Sequence, residues 1–537
     1  MPLLSTETPV LDPTNPYQSS RQPVLAQNAM ATSQPLAAQA GLWMLRQGGN
    51  AVDAALAAAI ALTVVEPTGC GLGSDAFAMI WDGKMLHGLN ASGRAPAGWT
   101  PERFADRASM PERGWESVVV PGAVSAWAAL SERFGRLPFA DVCQPAIDYA
   151  RYGYAVSPTV AGLWEKGATL LAGQPGFAEA FLPNGKAPLP GQLFRCEAMA
   201  RSLERIAASR GADFYEGELA GRIAAFARSH DAALNEDDLA AHRVDWQAPL
   251  SQDFHGFTLH ELPPNGQGLA ALIAAGILQE TGIAGLPPDS ADSLHLQIEA
   301  MKLAFSDLDR YVGDPDHMEI AAAALLEPTY LRRRACLIDL DKASAPIYGV
   351  PTKGGTVYLT AADADGMMVS FIQSNFLGFG SGVVVPGTGI SLANRGSAFL
   401  PQPGHANSVG PRKRPFHTII PGFVSQDGVP LMSYGVMGAA MQAQGHLQLA
   451  VRILLHAQNP QTAIDAPRWR VTGGTALAVE ETMSPAIVAD LAARGHRITI
   501  EENSPHQAFG GAQVILRQDA GYCAASDSRK DGQAVGY

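Results

Sequence analysis

At 537 residues, with 47% hydrophobic and 17% charged content, the chain is long and apolar enough to bury two to four domains or one large intertwined unit. Lys plus Arg number 38 against 51 Asp plus Glu, a formal charge of −13, and no basic run exceeds Arg332-Arg333-Arg334 or Arg412-Lys413-Arg414, which argues against nucleic acid as a partner. Five cysteines, at 70, 143, 196, 336 and 523, form no CxxC and no short Cys/His spacing, which speaks against structural zinc and for a reducing, cytoplasmic compartment.

Residues 1 to about 25 are polar and proline-rich, without the basic and apolar regions of a secretory signal, and are expected to form an arm over the surface. Apolar spacing predicts a helix from Pro35 to Gln47, stopped by Gly48-Gly49, and Asn50 can cap a second from Ala51 to about Val65. That second run is too short to span a bilayer, so no membrane partner is expected. The glycines of Thr68-Gly69-Cys70-Gly71-Leu72-Gly73 precede the strand Ala76–Trp81, the reverse of a dinucleotide fingerprint, so no cofactor is read there. A strand from Met85 to Leu89 leads into Ser92-Gly93-Arg94-Ala95-Pro96, which leaves Arg94 in a loop. From Glu102 to Pro328 the pattern reads mostly helical, and its longest periodic run, Ser293 to Tyr311, ends at Gly313-Asp314-Pro315.

Gly354-Gly355-Thr356 then opens a buried strand, Val357 to Ala362, which turns through Asp363-Ala364-Asp365-Gly366 into a second apolar run reaching Ser374. Two glycines leave the backbone thin, so the Thr356 hydroxyl can fold back on the Gly355 carbonyl. Cleavage there would free a threonine carrying both a hydroxyl and an α-amine of pKa about 7.7–8.0, nucleophile and base in one residue. Taken alone, the three residues read more simply as a loop entering a sheet.

Farther on, segments 414–423 and 430–436 alternate like strands, Gly438-Ala439-Ala440 reads as a strand-to-helix turn, and Gln442 to His456 reads as a helix. Strands are expected again at Ala476–Val479 and Gln513–Leu516. The order fits an α/β fold of two sheets between helical layers.

Several stretches now share one resemblance: Gly48-Gly49-Asn50-Ala51-Val52-Asp53-Ala54-Ala55, Val65-Glu66-Pro67, Val120-Pro121-Gly122, Glu299-Ala300-Met301-Lys302-Leu303-Ala304-Phe305, Gly313-Asp314-Pro315, and Phe379 to Ile390. In this order they resemble the gamma-glutamyltransferase family of N-terminal-nucleophile hydrolases over nearly the whole chain. The resemblance implies a four-layer αββα sandwich and a proenzyme cut between Gly355 and Thr356. The products would be a large subunit of residues 1–355 and a small one of residues 356–537, intertwined in one domain and able to pair as a dimer of heterodimers. With no metal-ligand cluster and no phosphate loop in the sequence, no metal and no cofactor are expected.

By the same resemblance Thr356 is the nucleophile and Ser374 falls where the family has a threonine bonded to it. Gly438 and Ala439 fall on the turn whose N–H groups bind the oxyanion. Arg94, Arg395, His417, Thr418 and Asn375 are placed as substrate-binding residues. Where the family carries an aspartate for a substrate ammonium group this chain has Ala398, within Asn394-Arg395-Gly396-Ser397-Ala398-Phe399, and the paired serines are His417-Thr418. The loop from Phe399 to Pro411 is shorter than the family's lid. These departures point away from glutathione and toward a small amide with a carboxylate on its acyl part, as in the branch containing oxamate amidohydrolase and acylase-like members. Oxamate, giving oxalate and ammonia, is the expected substrate, with Arg94 as the favoured carboxylate ligand. A gamma-glutamyl hydrolase or transferase, a carboxy-acyl acylase and an uncleaved binding protein are the alternatives.

Overall fold

The computed structural model describes residues 20–346, 355–501 and 508–537. The first nineteen residues of the expected arm, and Gly354, lie outside the described residues.

Two seven-stranded sheets form the centre. One runs, edge to edge, Gln533–Gly536, Ala29–Thr32, Gly355–Ala362, Met368–Phe376, Asp75–Trp81, Leu86–Asn90 and Asp245–Gln247. The other runs Val24–Ala26, Gly521–Ser526, Ala512–Gln518, Val429–Val436, Gly422–Gln426, Phe257–Glu261 and Leu250–Phe254. Between them lies an apolar layer of Phe77, Tyr358 and Ile372 from one sheet against Phe423, Ile515 and Tyr522 from the other. The helices Pro35–Arg46 and Ala51–Val65 cover the outer face of the first sheet, packing on Val357, Leu359, Val369 and Phe371. Gly268–Gln279, Ala291–Tyr311 and Met441–Ala450 cover the second, packing on Val424, Met432 and Val514. This is the α/β sandwich, helix-sheet-sheet-helix, that the order of elements implies.

Local chemistry explains why these elements start and stop where they do. Asn50 accepts from the Val52 and Asp53 N–H groups while Asp53 reaches back to the Asn50 N–H, a capping box. Every residue of the helix Ala51–Val65 is buried, and its alanines let it lie close on the sheet. The hairpin after Ala362 closes as its residues predict: Gly366 takes φ +93°, and Asp363 accepts from the Asp365 and Met367 N–H groups. The other Asp363 oxygen caps Ala51 N–H, tying this turn to the helix start.

Two expectations are corrected. Residues 102–328 are not all helical, since Asp245–Gln247 and Leu250–Phe254 are edge strands and Phe257–Glu261 is the strand beside the second of them; these short, half-buried segments give no long apolar period to read. Of the segment 414–423 only Gly422 and Phe423 belong to a strand, Gly422–Gln426. Pro415 and Pro421 cannot donate to a ladder, and His417 instead pairs its N–H with the Asn265 carbonyl.

Candidate active site

Thr356 is 4% exposed and sits at the start of a central strand. Its partner strand is bulged there: Gly355 faces Phe376 and Val357 faces Gln373, so Ser374 and Asn375 together oppose Thr356. The extra residue pushes Phe376 to φ +74°, a costly conformation for an aromatic residue, and turns its N–H onto Ser374 Oγ at 2.7 Å. Ser374 Oγ also contacts the Gly355 carbonyl oxygen and lies 3.2 Å from Thr356 Oγ1. A carbonyl accepts only, so the Ser374 proton goes to Gly355 O, and Ser374 accepts from Phe376 N–H and from the Thr356 hydroxyl. Thr356 O–H, Ser374 O–H and the Gly355 carbonyl thus form one directed chain across the Gly355–Thr356 bond.

A cavity of about 180 Å³ opens beside this chain, lined among others by Glu66, Thr68, Arg113, Lys166, Gly355 and Thr356. Glu66 is buried and accepts from Ser33 Oγ at 2.6 Å; burial raises its carboxyl, against the charge of Lys530. The buried Thr68 hydroxyl has no hydrogen-bond partner among the described residues. Arg113 donates to the Gly378 and Gly380 carbonyls and so fixes the loop after Phe376.

Behind Phe376 lies a second group of polar residues. The Arg395 guanidinium is fully buried, stacked 4.0 Å from the Phe376 ring centroid, with Nη1 donating to Thr418 Oγ1 at 3.2 Å. Its Nε and Nη2 find no acceptor among the described residues. Burial pulls this arginine down to about 9, and Asp75 works against that pull. Asp75 is itself buried; burial raises its carboxyl, and its contact with His417, the Arg395 charge and the bond from Gly93 N–H more than reverse this, leaving it below its ordinary value. His417 Nε2 is 3.2 Å from Asp75 Oδ2 but without hydrogen-bond geometry. Burial and the Arg395 charge hold His417 at about 4, so its imidazole is neutral at pH 7.

Gly438 and Ala439 lie between the strand Val429–Val436 and the helix Met441–Ala450 with φ +118° and +52°. Met441 and Gln442 N–H groups bond to their carbonyls, while the N–H groups of Gly438 and Ala439 meet no backbone acceptor among the described residues. Gln267 holds this turn: its side-chain amide donates to the Ala439 carbonyl at 2.8 Å and to the Thr418 carbonyl, and its N–H donates to the His417 carbonyl at 2.9 Å.

The sequence-predicted residues therefore divide. Gly355, Thr356 and Ser374 are in contact, and Arg395, His417 and Thr418 form a cluster joined through Gln267 to Ala439. Asn375 is buried with its amide engaged by Ser74 and Ser391, a framework bond rather than a free recognition group. Arg94 is 39% exposed at its side chain, donates to the Arg412 carbonyl and lies 3.7 Å from Asp314. Sequence reasoning missed Asp75 and Gln267. Asp75 stands opposite Ser374 in the sheet register, a pairing that only the fold shows. Gln267 follows Asn265-Gly266, a turn signal that marks a loop without saying what it holds.

A sequence model of the gamma-glutamyltranspeptidase family matches residues 37–537. The chain belongs to that family. It is 37% identical over 512 residues to the Bacillus subtilis glutathione hydrolase-like YwrD proenzyme, covering 93% of this chain and 97% of the relative. It is 37% identical over 517 residues to the oxamate amidohydrolase proenzyme of Klebsiella pneumoniae subsp. pneumoniae, covering 94% and 97%. Among solved structures, cephalosporin acylase from Bacillus halodurans superposes with a TM-score of 0.92 at 45% identity over 98% of each chain. Both of these relatives are proenzymes by name, which fits large and small subunits from one precursor. No described helix is long and apolar enough to cross a membrane.

Proposed function

We propose that this hydrolase cuts its own chain between Gly355 and Thr356 and then uses Thr356 to hydrolyse a small amide whose acyl part carries a carboxylate, with oxamate the first substrate to test. The observation that carries the reading is the directed chain from Thr356 O–H through Ser374 O–H to the Gly355 carbonyl. Thr356 Oγ1 attacks the Gly355 carbonyl carbon while its proton passes to Ser374 and the Ser374 proton reaches the carbonyl oxygen. Collapse moves the proton from that oxygen to the Thr356 nitrogen, breaks the Gly355–Thr356 C–N bond and leaves an ester. Water then hydrolyses it, giving a Gly355 carboxylate and a free Thr356 amine.

In the cut enzyme the Thr356 amine takes the hydroxyl proton as Oγ1 attacks the substrate amide. The oxyanion forms against the Gly438 and Ala439 N–H groups, a contribution on the order of 3–4 kcal/mol per well-placed donor. The proton then goes to the leaving nitrogen, which departs as ammonia or an amine, and water hydrolyses the Thr356 ester to release the acid and restore the hydroxyl. The substrate carboxylate is held by Arg395 with Thr418, because the free N–H groups of a buried guanidinium match a planar carboxylate and Asp75 keeps the site near neutral before substrate arrives. Ala398 offers no charge to an ammonium group, which disfavours gamma-glutamyl substrates. Oxamate turnover, followed as ammonia release by protein that runs as two bands on a denaturing gel, tests the reading. One band with no release would leave a binding protein on this fold.

A cavity of about 320 Å³ favours a second reading. Gln267 forms part of its wall with Ala398, Phe305, Leu308, Val312 and Phe416, and it is larger and more apolar than oxamate requires. A longer carboxy-acyl group, as released by an acylase, would fill it. A panel scored for ammonia against larger amines, and for acyl length, separates the two. We place the enzyme in the cytoplasm as a pair of subunits.

Two expected results follow from this chemistry. kcat/KM should rise with pH to a plateau above about 8 as the Thr356 amine loses its proton, with no inflection near 6.5, since His417 is already neutral there. An inflection near 6.5 would give an imidazole the base's role. Gln267→Leu should lower kcat by roughly 10- to 100-fold with little change in KM, because it frees the Ala439 carbonyl and lets the oxyanion turn drift, while chain cleavage continues. Loss of cleavage to the same degree would mean that Gln267 serves the fold alone.

A further inference from the structure

Away from Thr356, a second set of buried charges lies where residues before and after that threonine meet. His295, Glu299 and Lys302 share one face of the helix Ala291–Tyr311, and His496 follows the helix Pro485–Ala493; all four are buried. The Lys302 ammonium has three protons and three acceptors: Glu299 Oε1 at 2.7 Å, the Ser344 carbonyl at 3.0 Å and His496 Nδ1 at 3.4 Å. An ammonium only donates, so His496 Nδ1 is a lone pair and its proton is on Nε2. That proton meets His295 Nδ1 at 2.9 Å, and His295 in turn donates from Nε2 to the Asp339 carbonyl at 2.8 Å. Glu299 Oε2 takes both the N–H and the hydroxyl of Ser344.

Each partner's role is thereby fixed, and the set is satisfied as it stands. His295, Glu299 and His496 do bring ligand-type atoms within 4.8 Å of one another. A cation there would face the Lys302 ammonium and compete for lone pairs already in use, so the donor set does not favour a metal.

The network is divided by sequence position. His295, Glu299, Lys302, Asp339 and Ser344 precede Thr356, and His496 follows it. Arg494, from the same side as His496, reinforces the seam. Its carbonyl accepts from Ala343 N–H at 2.7 Å, and its guanidinium donates to the Leu340 carbonyl at 2.8 Å and to Asp292 at 2.5 Å. Residues 339–344 are thus gripped from both sides, and Ser344 lies twelve residues before the nucleophile.

We propose that this seam is the joint that keeps the tail of the large subunit seated on the small one after the chain is cut, an inference that rests on the cleavage proposed above. While the chain is whole, the peptide link holds the tail near its seat at high effective concentration, so the joint adds little. Once the link is broken, the seam carries that load.

His496→Leu, and Ser344→Ala as a milder change, are to be made in the cutting chain and in an uncut Thr356→Ala chain. The rate of tryptic nicking after the exposed Lys342 reports release of the tail, and size-exclusion chromatography in urea reports separation of the two chains. In the cut protein, His496→Leu should speed nicking at least about tenfold and lower the urea concentration at which the chains part; in the uncut protein the nicking rate should change less than about threefold. Equal acceleration in both backgrounds, or none in the cut one, overturns the joint. Should His496→Leu fail to fold, Ser344→Ala decides by the same contrast. A single band from the parent chain before trypsin is added would instead bring down the reading of Thr356, and the joint with it.

Discussion

Thr356→Ala is expected to run as a single chain and to show no turnover above background, a loss on the order of 10⁴-fold or more, because it removes the nucleophile of both reactions at once. The fold should survive, since Thr356 Oγ1 meets Ser374 through a single bond of 3.2 Å and the strand around it is held by its ladders. Thr356→Ser keeps hydroxyl and future amine and should still cut, more slowly. Ser374→Ala separates the steps further: it takes away the group that polarises the Gly355 carbonyl, so cutting should slow by roughly 10- to 100-fold. Two bands from Thr356→Ala would sink the assignment.

The second large effect is expected at Arg395. Arg395→Met keeps much of the side-chain volume over Phe376 but removes the charge, and should cost about 2–5 kcal/mol on a carboxylate-bearing amide, roughly 30- to 4,000-fold in kcat/KM. Turnover of an uncharged amide should change far less, and self-cleavage should persist because it involves no substrate carboxylate. The single change leaves Asp75 buried without its cation, so the paired variant Arg395→Met with Asp75→Asn is the control for folding. Arg94→Ala should have a smaller effect, its guanidinium being half-exposed and engaged with Asp314 and the Arg412 carbonyl. Equal losses on charged and uncharged amides would make Arg395 structural, and a larger loss from Arg94→Ala would return the carboxylate to the Arg94 loop.

What could be read from the sequence was what local chemistry decides. Asn50 announces a helix start, Asp363 to Gly366 announce a hairpin, and Gly355-Thr356 before an apolar run announces a threonine at a strand entrance; all three are in place. The long helix was legible too, beginning at Ala291 behind the Ser290 cap. Tertiary pairing was not. Nothing in the sequence separates Arg94 from Arg395, two loop arginines, until the fold buries one completely and leaves the other partly exposed beside the buried Asp314. The segment around His417 alternates like a strand, yet prolines and the bond to Asn265 keep it out of the sheet. Gln267 and Asp75 gain their meaning from neighbours more than 150 residues away in one case and nearly 300 in the other.

The sheets carry a consequence for the lifetime of the enzyme. In the first, Ala29–Thr32 lies between Gln533–Gly536 and Gly355–Ala362, so strands from before and after Thr356 are shuffled together. A whole chain that unfolds can find this order again by a first-order search. A cut one cannot, because two separate molecules must meet and interleave, and recovery becomes second order and sensitive to dilution. Maturation would turn a protein able to renature into one whose working life is set by how slowly it first comes apart.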